Sequence, residues 1–372
     1  MLKRVYADNY KSLLNFEFRP PAVSLLAGRN GSGKTSFFEV LGGLQDLLVW
    51  DRGTSVAFPA ETLTRSMDVT HQRYELDAVR PDGQGTFHYM LVLEHDRDRR
   101  TARIRKEMLS VDEKPLFHCA DGEVQLYHDD FTPAKETFSY TQERSFIAAI
   151  EPKSTYKQLI WFRTFVKNIW ILNLDVRSMA ASSTREELFL SRDADNFASW
   201  YRFVLQEWPD KISEINESIR RVLPGFRSLK AMASGRAKIL TSSFSWPDNP
   251  ELYEVDFSAL SEGQRALIVL YTLLHTVVRQ ASVVCFDEPD NYVELAEIKP
   301  WLVAVSDASR EVDNQLLVIS HNPEVIDYLA ADHAWFFSRP DGGHTRIKPL
   351  DINRQEGLKA SEWLRGRYDE EQ

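Results

Sequence analysis

Ala22–Leu44 reads AVSLLAGRNGSGKTSFFEVLGGL, and three patterns meet in it. Ala22–Gly28 is a short, mostly apolar run that reads as a strand. Phe38, Leu41, Leu44 and Leu48 recur at helical spacing and predict a helix over Thr35–Leu48. Between the two lies Gly28-Arg29-Asn30-Gly31-Ser32-Gly33-Lys34-Thr35. A strand handed to a helix through a glycine-rich turn is the beginning of an α/β arrangement.

The turn fits G-x-x-x-x-G-K-[ST], with strand before and helix after, the context in which that pattern binds phosphate. Glycines let the backbone curl until several N–H groups point at one anion. The helix N-terminus adds partial positive charge. In such a loop Lys34 reaches the β- and γ-phosphates and the Thr35 hydroxyl binds Mg²⁺. Gly28 to Thr35, with Ser36 in the same first helical turn, are therefore the candidate nucleotide-binding residues, and Lys34 is also a catalytic candidate. A glycine-rich turn without a ligand is the plainer reading, and the complete pattern in its proper context disfavours it.

A phosphate loop names a ligand class and not a reaction, so the rest of the chain must decide. SVVCFDEPDN (282–291) ends an apolar run on Asp287 and Glu288. A strand delivering two adjacent carboxylates suits phosphoryl transfer: Asp287 holds Mg²⁺ through water and Glu288 orients or deprotonates the attacking water. An acidic pair before a Pro289 turn has a bland reading on its own; the loop upstream shifts the balance to the catalytic one. Further upstream, Phe257–Leu274 reads FSALSEGQRALIVLYTLL. Ser261 is a natural N-cap for the apolar helix that follows, and Gly263 permits close backbone approach. A helix N-terminus with a hydroxyl is a phosphate site in itself. Since Lys34 already serves one nucleotide, this second site asks for another γ-phosphate.

Leu260-Ser261-Glu262-Gly263-Gln264, followed by Cys285-Phe286-Asp287-Glu288-Pro289 and by Val318-Ile319-Ser320-His321, resembles the signature, Walker B and switch motifs of ABC-type ATPases. The resemblance implies that two heads dimerise head to tail around two ATP molecules with Mg²⁺. Ser261, Gly263 and Gln264 of one copy would then face the γ-phosphate bound by the other. His321 matches the switch histidine. Gln142, in SYTQERSF, is the candidate for the glutamine that touches the metal. One position departs from the family pattern: Glu294 stands where the loop after Walker B usually carries aspartate. The opening YADNYKSLLNFEF is similar to the first strand of RecF, SMC and OLD-type heads, which implies that Asn9, Lys11 and Ser12 approach the nucleotide; a plain turn between strands is the alternative.

Outward from these motifs, the first part reads as short strands and the last as strands alternating with helices. Phe197, Trp200, Tyr201, Val204, Leu205 and Trp208 share one helical face, and Ile212, Ile215, Ile219 and Val222 share another after Pro209. Both stripes are read as core. The fold class that follows is α/β: a head with a mixed or parallel sheet core, an antiparallel β lobe and a helical lobe. The expected divisions are a β-rich nucleotide-binding lobe over 1–150, a helical insert over 151–262, and the remainder of the head over 263–372. A change of character near Lys153 and a turn at Pro81-Asp82-Gly83 belong to this reading.

A formal net charge of -10 gives no global attraction to nucleic acid. Two cysteines are too few for a disulfide framework, and Cys285, inside an apolar run, suits a buried thiol. The start has no apolar leader and the longest apolar run is too short for a bilayer, so a cytoplasmic protein without a membrane partner is expected. OLD-type nucleases carry a Toprim domain, for which the residues after His321 leave no room. The leading expectation is thus an ATP-gated sensor or regulator of a separate effector, a nuclease or toxin in anti-phage defence, forming a dimer or a higher even oligomer. A DNA-repair or clamping ATPase is the alternative. It leans on HDRDRRTARIRKEM, where Arg97, Arg99, Arg100, Arg103, Arg105 and Lys106 gather, although the interspersed acids favour a solvated hairpin. A transporter ATPase is disfavoured by the long stretch between Gly28 and Leu260.

Overall fold

Alternating burial organises the beginning of the chain and continuous burial its end, and the two patterns build different sheets. The computed structural model describes residues 1–80, 82–83, 85–134, 137–151, 155–246, 249–330, 334–350, 359–362, 364 and 366. In chain order β1 (Leu2–Asp8), β2 (Phe16–Phe18) and β3 (Val23–Gly28) precede α1 (Lys34–Leu48) and α2 (Thr54–Ala57). Next come β4 (His71–Val79), β5 (Thr86–Asp96), β6 (Thr101–Val111), β7 (Lys114–Ala120), β8 (Glu123–Leu126) and β9 (Phe138–Ser139). Then follow α3 (Phe146–Ala149), α4 (Lys157–Lys167), β10 (Ile169–Leu172), β11 (Ser182–Ser183), α5 (Phe197–Glu207) and α6 (Pro209–Val222). β12 (Phe226–Ser234), β13 (Ala237–Trp246) and β14 (Asn249–Asp256) lead to α7 (Glu262–His275). The chain finishes through β15 (Val283–Asp287), α8 (Leu295–Glu311), β16 (Gln315–Ile319), α9 (Pro323–Leu329), β17 (Ala334–Ser338) and β18 (Arg346–Pro349).

Two units divide these elements, Met1–Ile169 with Ile326–Gln372, and Trp170–Val325. In the first, the strands run antiparallel in the order β2-β1-β4-β5-β6-β7-β8-β9. Burial alternates along them, for example over Thr101–Arg105 in β6, because one face packs inward and the other meets solvent. β3 is buried at every residue and pairs in parallel with β17, which pairs antiparallel with β18. The core beneath α1 is aromatic. Phe18 lies edge-on to Phe37 with ring centres 5.4 Å apart, Phe16 lies 5.7 Å from Phe337, and Phe18 lies 5.1 Å from Trp335. Each fully buried ring of this kind stabilises by roughly 1.5–3 kcal/mol, and here the cluster fixes α1, and with it the turn before α1, upon β2 and β17.

In the second unit β15 and β16 run parallel, buried throughout, in keeping with their near-continuous apolar sequences. Trp301 of α8 packs on Phe286 with ring centres 4.9 Å apart and donates its indole N–H to the Leu270 carbonyl of α7 at 2.9 Å. The stripes on α5 and α6 join the core as expected: Phe197, Trp200, Tyr201, Val204, Ile215 and Ile219 are buried. Leu205 and Trp208 are only half-buried. Pro209 closes α5 and opens α6, where its fixed φ suits a first helical position.

The expectation of a helical lobe over 151–262 needs correcting in part. β11, β12, β13 and β14 form an antiparallel sheet there, beside α5 and α6. The buried residues of β13 include Thr241, Ser242, Ser243 and Ser245, which lie on both faces of the strand. Apolar alternation, the usual mark of a strand, is therefore missing from the strand that organises this sheet. Pro81 and Lys153, named above for a turn and a boundary, lie outside the described residues, as does most of the chain after Leu350.

Candidate functional site

β3 ends at Gly28, and the next residues curl so that α1 starts at Lys34. Gly33 is the N-cap at φ 103° and ψ 6°, a left-handed conformation that a side chain strains. A Cβ there would also lie 2.4 Å from Thr345 Oγ1 and 3.2 Å from Ser12 Oγ. Lys34 is buried, and its Nζ donates to the Gly28 carbonyl at 2.8 Å and the Arg29 carbonyl at 3.1 Å. The ammonium thus folds back over the start of the loop. Ser32 is buried, its Oγ without a partner among the described residues, while Arg29, Asn30, Gly31 and Thr35 are exposed and Ser36 half-exposed. A backbone curl that leaves no space for a Cβ, a helix N-terminus and a held lysine fit the triphosphate that the sequence implies.

The opening turn meets this loop. Asn9 and Lys11 have positive φ, 62° and 49°. Lys11 pairs with Glu39 of α1 at 2.5 Å, and Ser12 Oγ lies 2.9 Å from Thr345 Oγ1, which itself donates to the Ser32 carbonyl. Asn9 turns the other way and donates to the His71 carbonyl. Of the three residues singled out by resemblance, Ser12 touches the loop's own support. Gln142 does not come to the loop: its carbonyl accepts from the Ile104 N–H at 2.7 Å and its side chain lies over Gly122.

In the other unit, Asp287 is the last residue of β15 and is buried. Glu288 follows at φ 52°, an uncommon conformation for a residue with a side chain, of the kind that gathers at functional sites. Its N–H donates to the Ile319 carbonyl at 2.9 Å, so the turn is tied to the end of β16. Asn291 donates to Glu288 Oε2 at 2.7 Å, and His321 Nε2 lies 3.4 Å from Glu288 Oε1. Below them Ser320 donates to Asp290 Oδ2 at 3.0 Å. Burial pushes the Asp290 carboxyl above its ordinary range, with the Ser320 hydrogen bond opposing. The structure thereby brings Glu288 and His321 together. Asn291, which bonds Glu288, and the Asp290–Ser320 pair escaped the sequence reading; a third acid directly after Asp287-Glu288-Pro289 was the available signal. Cys285 is inert here, burial driving its thiol far above the usual range.

The same unit carries the Leu260–Gln264 turn. Ser261 caps α7: its Oγ accepts from the Gln264 N–H at 3.2 Å, and Gln264 Oε1 accepts from the Ser261 N–H at 3.0 Å. This reciprocal pair is a capping box. Glu262 binds Arg177 at 2.9 Å. A Cβ on Gly263 would lie 2.9 Å from the Tyr292 carbonyl, so glycine is needed there whether or not an anion comes near.

Much of the basic strip is engaged locally. Arg103 pairs with Glu94 at 2.6 Å, Arg105 with Asp121 at 3.0 Å and Arg100 with Glu61 at 3.6 Å, while Arg97 donates to the Met67 and Val69 carbonyls. No helix among the described residues is long and apolar enough to cross a membrane.

A family model described as "AAA domain, putative AbiEii toxin, Type IV TA system" matches residues 23–327. Two solved structures share the fold. An SmcHead bound to the C-winged helix domain of ScpA is 15% identical with TM-score 0.57, covering 96% of this chain and 99% of that one. An Smc head domain with an extended coiled coil, bound to the C-terminal domain of ScpA derived from Pyrococcus furiosus, is 13% identical with TM-score 0.55, covering 96% and 98%. At these identities the likeness is one of fold. No curated protein matches the sequence.

Proposed function

Because the chain belongs to this AAA-domain family and shares the fold of SMC heads, we propose that it is an ABC-type ATPase. In this reading it hydrolyses ATP between two copies bound head to tail, and the cycle governs a separate effector. The observation that carries the hydrolytic part is Glu288, held at positive φ at a strand end with His321 and Asn291 on its two oxygens. A carboxylate fixed in this way can accept a proton from water while its neighbours keep it from swinging away.

The residues divide the work. Lys34 and the N–H groups of Gly28–Thr35 bind and orient the phosphates. Thr35 and Asp287 would hold Mg²⁺, which when bound neutralises charge on the phosphate oxygens. Glu288 takes the proton of the attacking water, and His321 steadies the same carboxylate and the γ-phosphate. Ser261 of the second copy donates to that phosphate. The hydroxyl accepts from Gln264 and has no other partner among the described residues, so its proton is available.

In this reading the effector is a second protein, a nuclease or toxin of anti-phage defence; the family description, with its Type IV TA system, supports a role in a two-component system. A DNA-clamping role draws little from the strip around Arg103, whose arginines are already paired. Glu288→Gln, tagged and purified from its native cells with ATP and Mg²⁺, tests the proposal by native mass spectrometry. Hydrolysis should fall by about a hundredfold or more while ATP stays bound. An even-numbered assembly with ATP and an additional protein is the expected species. A bare dimer, or one carrying DNA, would favour the clamp, and an ATP-bound monomer would remove Ser261 from the reaction.

A further inference from the structure

The loop that binds phosphate is gripped from behind by a turn more than three hundred residues away. Thr345, just ahead of β18, is 1% exposed. Its Oγ1 donates to the Ser32 carbonyl at 2.9 Å, across a sequence separation of 313. Its N–H donates to the Ser12 carbonyl at 2.9 Å. A threonine hydroxyl has one proton, already committed to Ser32, so in the 2.9 Å contact between the two hydroxyls Ser12 is the donor. The same turn adds a second strut: Arg339 donates to the Gly31 carbonyl at 3.3 Å, and to the Gly343 and Gly342 carbonyls at 2.7 and 2.8 Å.

Peptide geometry gives this grip a consequence. The peptide unit is planar and trans, so the carbonyl of Ser32 and the N–H of Gly33 point to opposite sides. Drawing the carbonyl toward Thr345 aims the Gly33 N–H away from it, out of the packed side of the loop. The closeness of Thr345 to Gly33, which excludes any Cβ, shows how tightly the two segments meet. Glycine-rich turns are the most mobile backbone in a chain. Donors that are already oriented bind an anion without first losing that freedom.

We propose that Thr345 is a positioning residue for the phosphate loop, and that the turn before β18 tunes nucleotide affinity by fixing the Ser32–Gly33 peptide, a proposal that rests on the nucleotide-binding reading above. Thr345→Val keeps the shape and removes the hydroxyl; Thr345→Ser keeps the hydroxyl. Both are compared with the wild type in two ways on the full chain. The first is amide hydrogen exchange of the loop without nucleotide. The second is the Kd for a non-hydrolysable ATP analogue with Mg²⁺. Thr345→Val should exchange faster across Gly31–Lys34 and bind about tenfold more weakly, the order of effect of removing a hydroxyl that serves two hydrogen bonds. Thr345→Ser should behave as the wild type in both. If the valine variant keeps both loop protection and affinity, or if serine fails to restore them, the proposal is overturned. A wild type that binds no analogue removes the parent reading instead, and the exchange data still decide whether Thr345 holds the loop.

Discussion

The turn at Gly28–Lys34 and the turn at Leu260–Gln264 both lead into long, buried helices, yet they are held in opposite ways. The first is pinned by residues remote in sequence: Ser12, Thr345 and Arg339 act on Ser32, Gly33 and Gly31. The second is held mostly by itself, through the Ser261–Gln264 capping box, with Arg177 on Glu262 and the Tyr292 carbonyl against Gly263. Remote contacts cost more conformational entropy to assemble and give a tighter geometry. Local ones need little from the rest of the fold and leave Ser261 exposed. Under the proposed function, the difference is that between a loop that must be right before its ligand arrives and a surface that presents a donor outward.

Gly33→Ala should break the first side of that comparison most severely. The added methyl meets Thr345 Oγ1 at 2.4 Å, and the backbone is left-handed. Left-handed strain and overpacking together come to about 3 kcal/mol. Analogue binding should fall by about a hundredfold, measured by calorimetry, with a lowered Tm. A variant that binds normally would show that the grip on Gly33 is dispensable.

Asp290→Asn should have a smaller effect and sharpens the contrast with the carboxylate turn, where a burden is carried inside. Burial raises the Asp290 carboxyl, so the folded protein holds this proton more firmly than the unfolded chain does. The stability it contributes is fully present below the ordinary aspartate range and is lost as pH rises through the raised value. The wild type should therefore lose more Tm than the asparagine variant between about pH 4 and about pH 8. Equal losses would mean that Ser320 alone decides how Asp290 sits.

These two turns also differ in how far the sequence discloses them. The glycine pattern, the strand before it and the helix after it are local, and β3 and α1 form within a residue of the predicted span. Ser261 and Gln264 declare their capping box at the fixed offset such boxes require. Thr345 has no neighbouring pattern at all; its role exists only because β17 pairs with β3 and brings the following turn back to the loop. The β12–β14 sheet was hidden for a related reason, since a strand with buried serine and threonine lacks the apolar alternation by which strands are read. Gln142 marks the limit of resemblance without geometry: a glutamine at a plausible place in the order, with its contacts in the large sheet.

The smallest expected effect concerns Ser261, and it separates the two jobs that one hydroxyl is asked to do. As an N-cap, Ser261 stabilises α7 by about 1 kcal/mol relative to alanine, whereas glycine at the same position loses only a few tenths of that. As a donor to a neighbour's phosphate, it is lost equally in Ser261→Ala and Ser261→Gly, and threonine keeps both jobs. Tm should thus fall in the order wild type, glycine, alanine. ATP-dependent dimerisation of the three in a Glu288→Gln background, read by sedimentation, should instead place glycine with alanine and threonine with the wild type. If the glycine variant dimerises as the wild type does, the exposed hydroxyl belongs to the helix alone, and the outward-facing half of the comparison reduces to architecture.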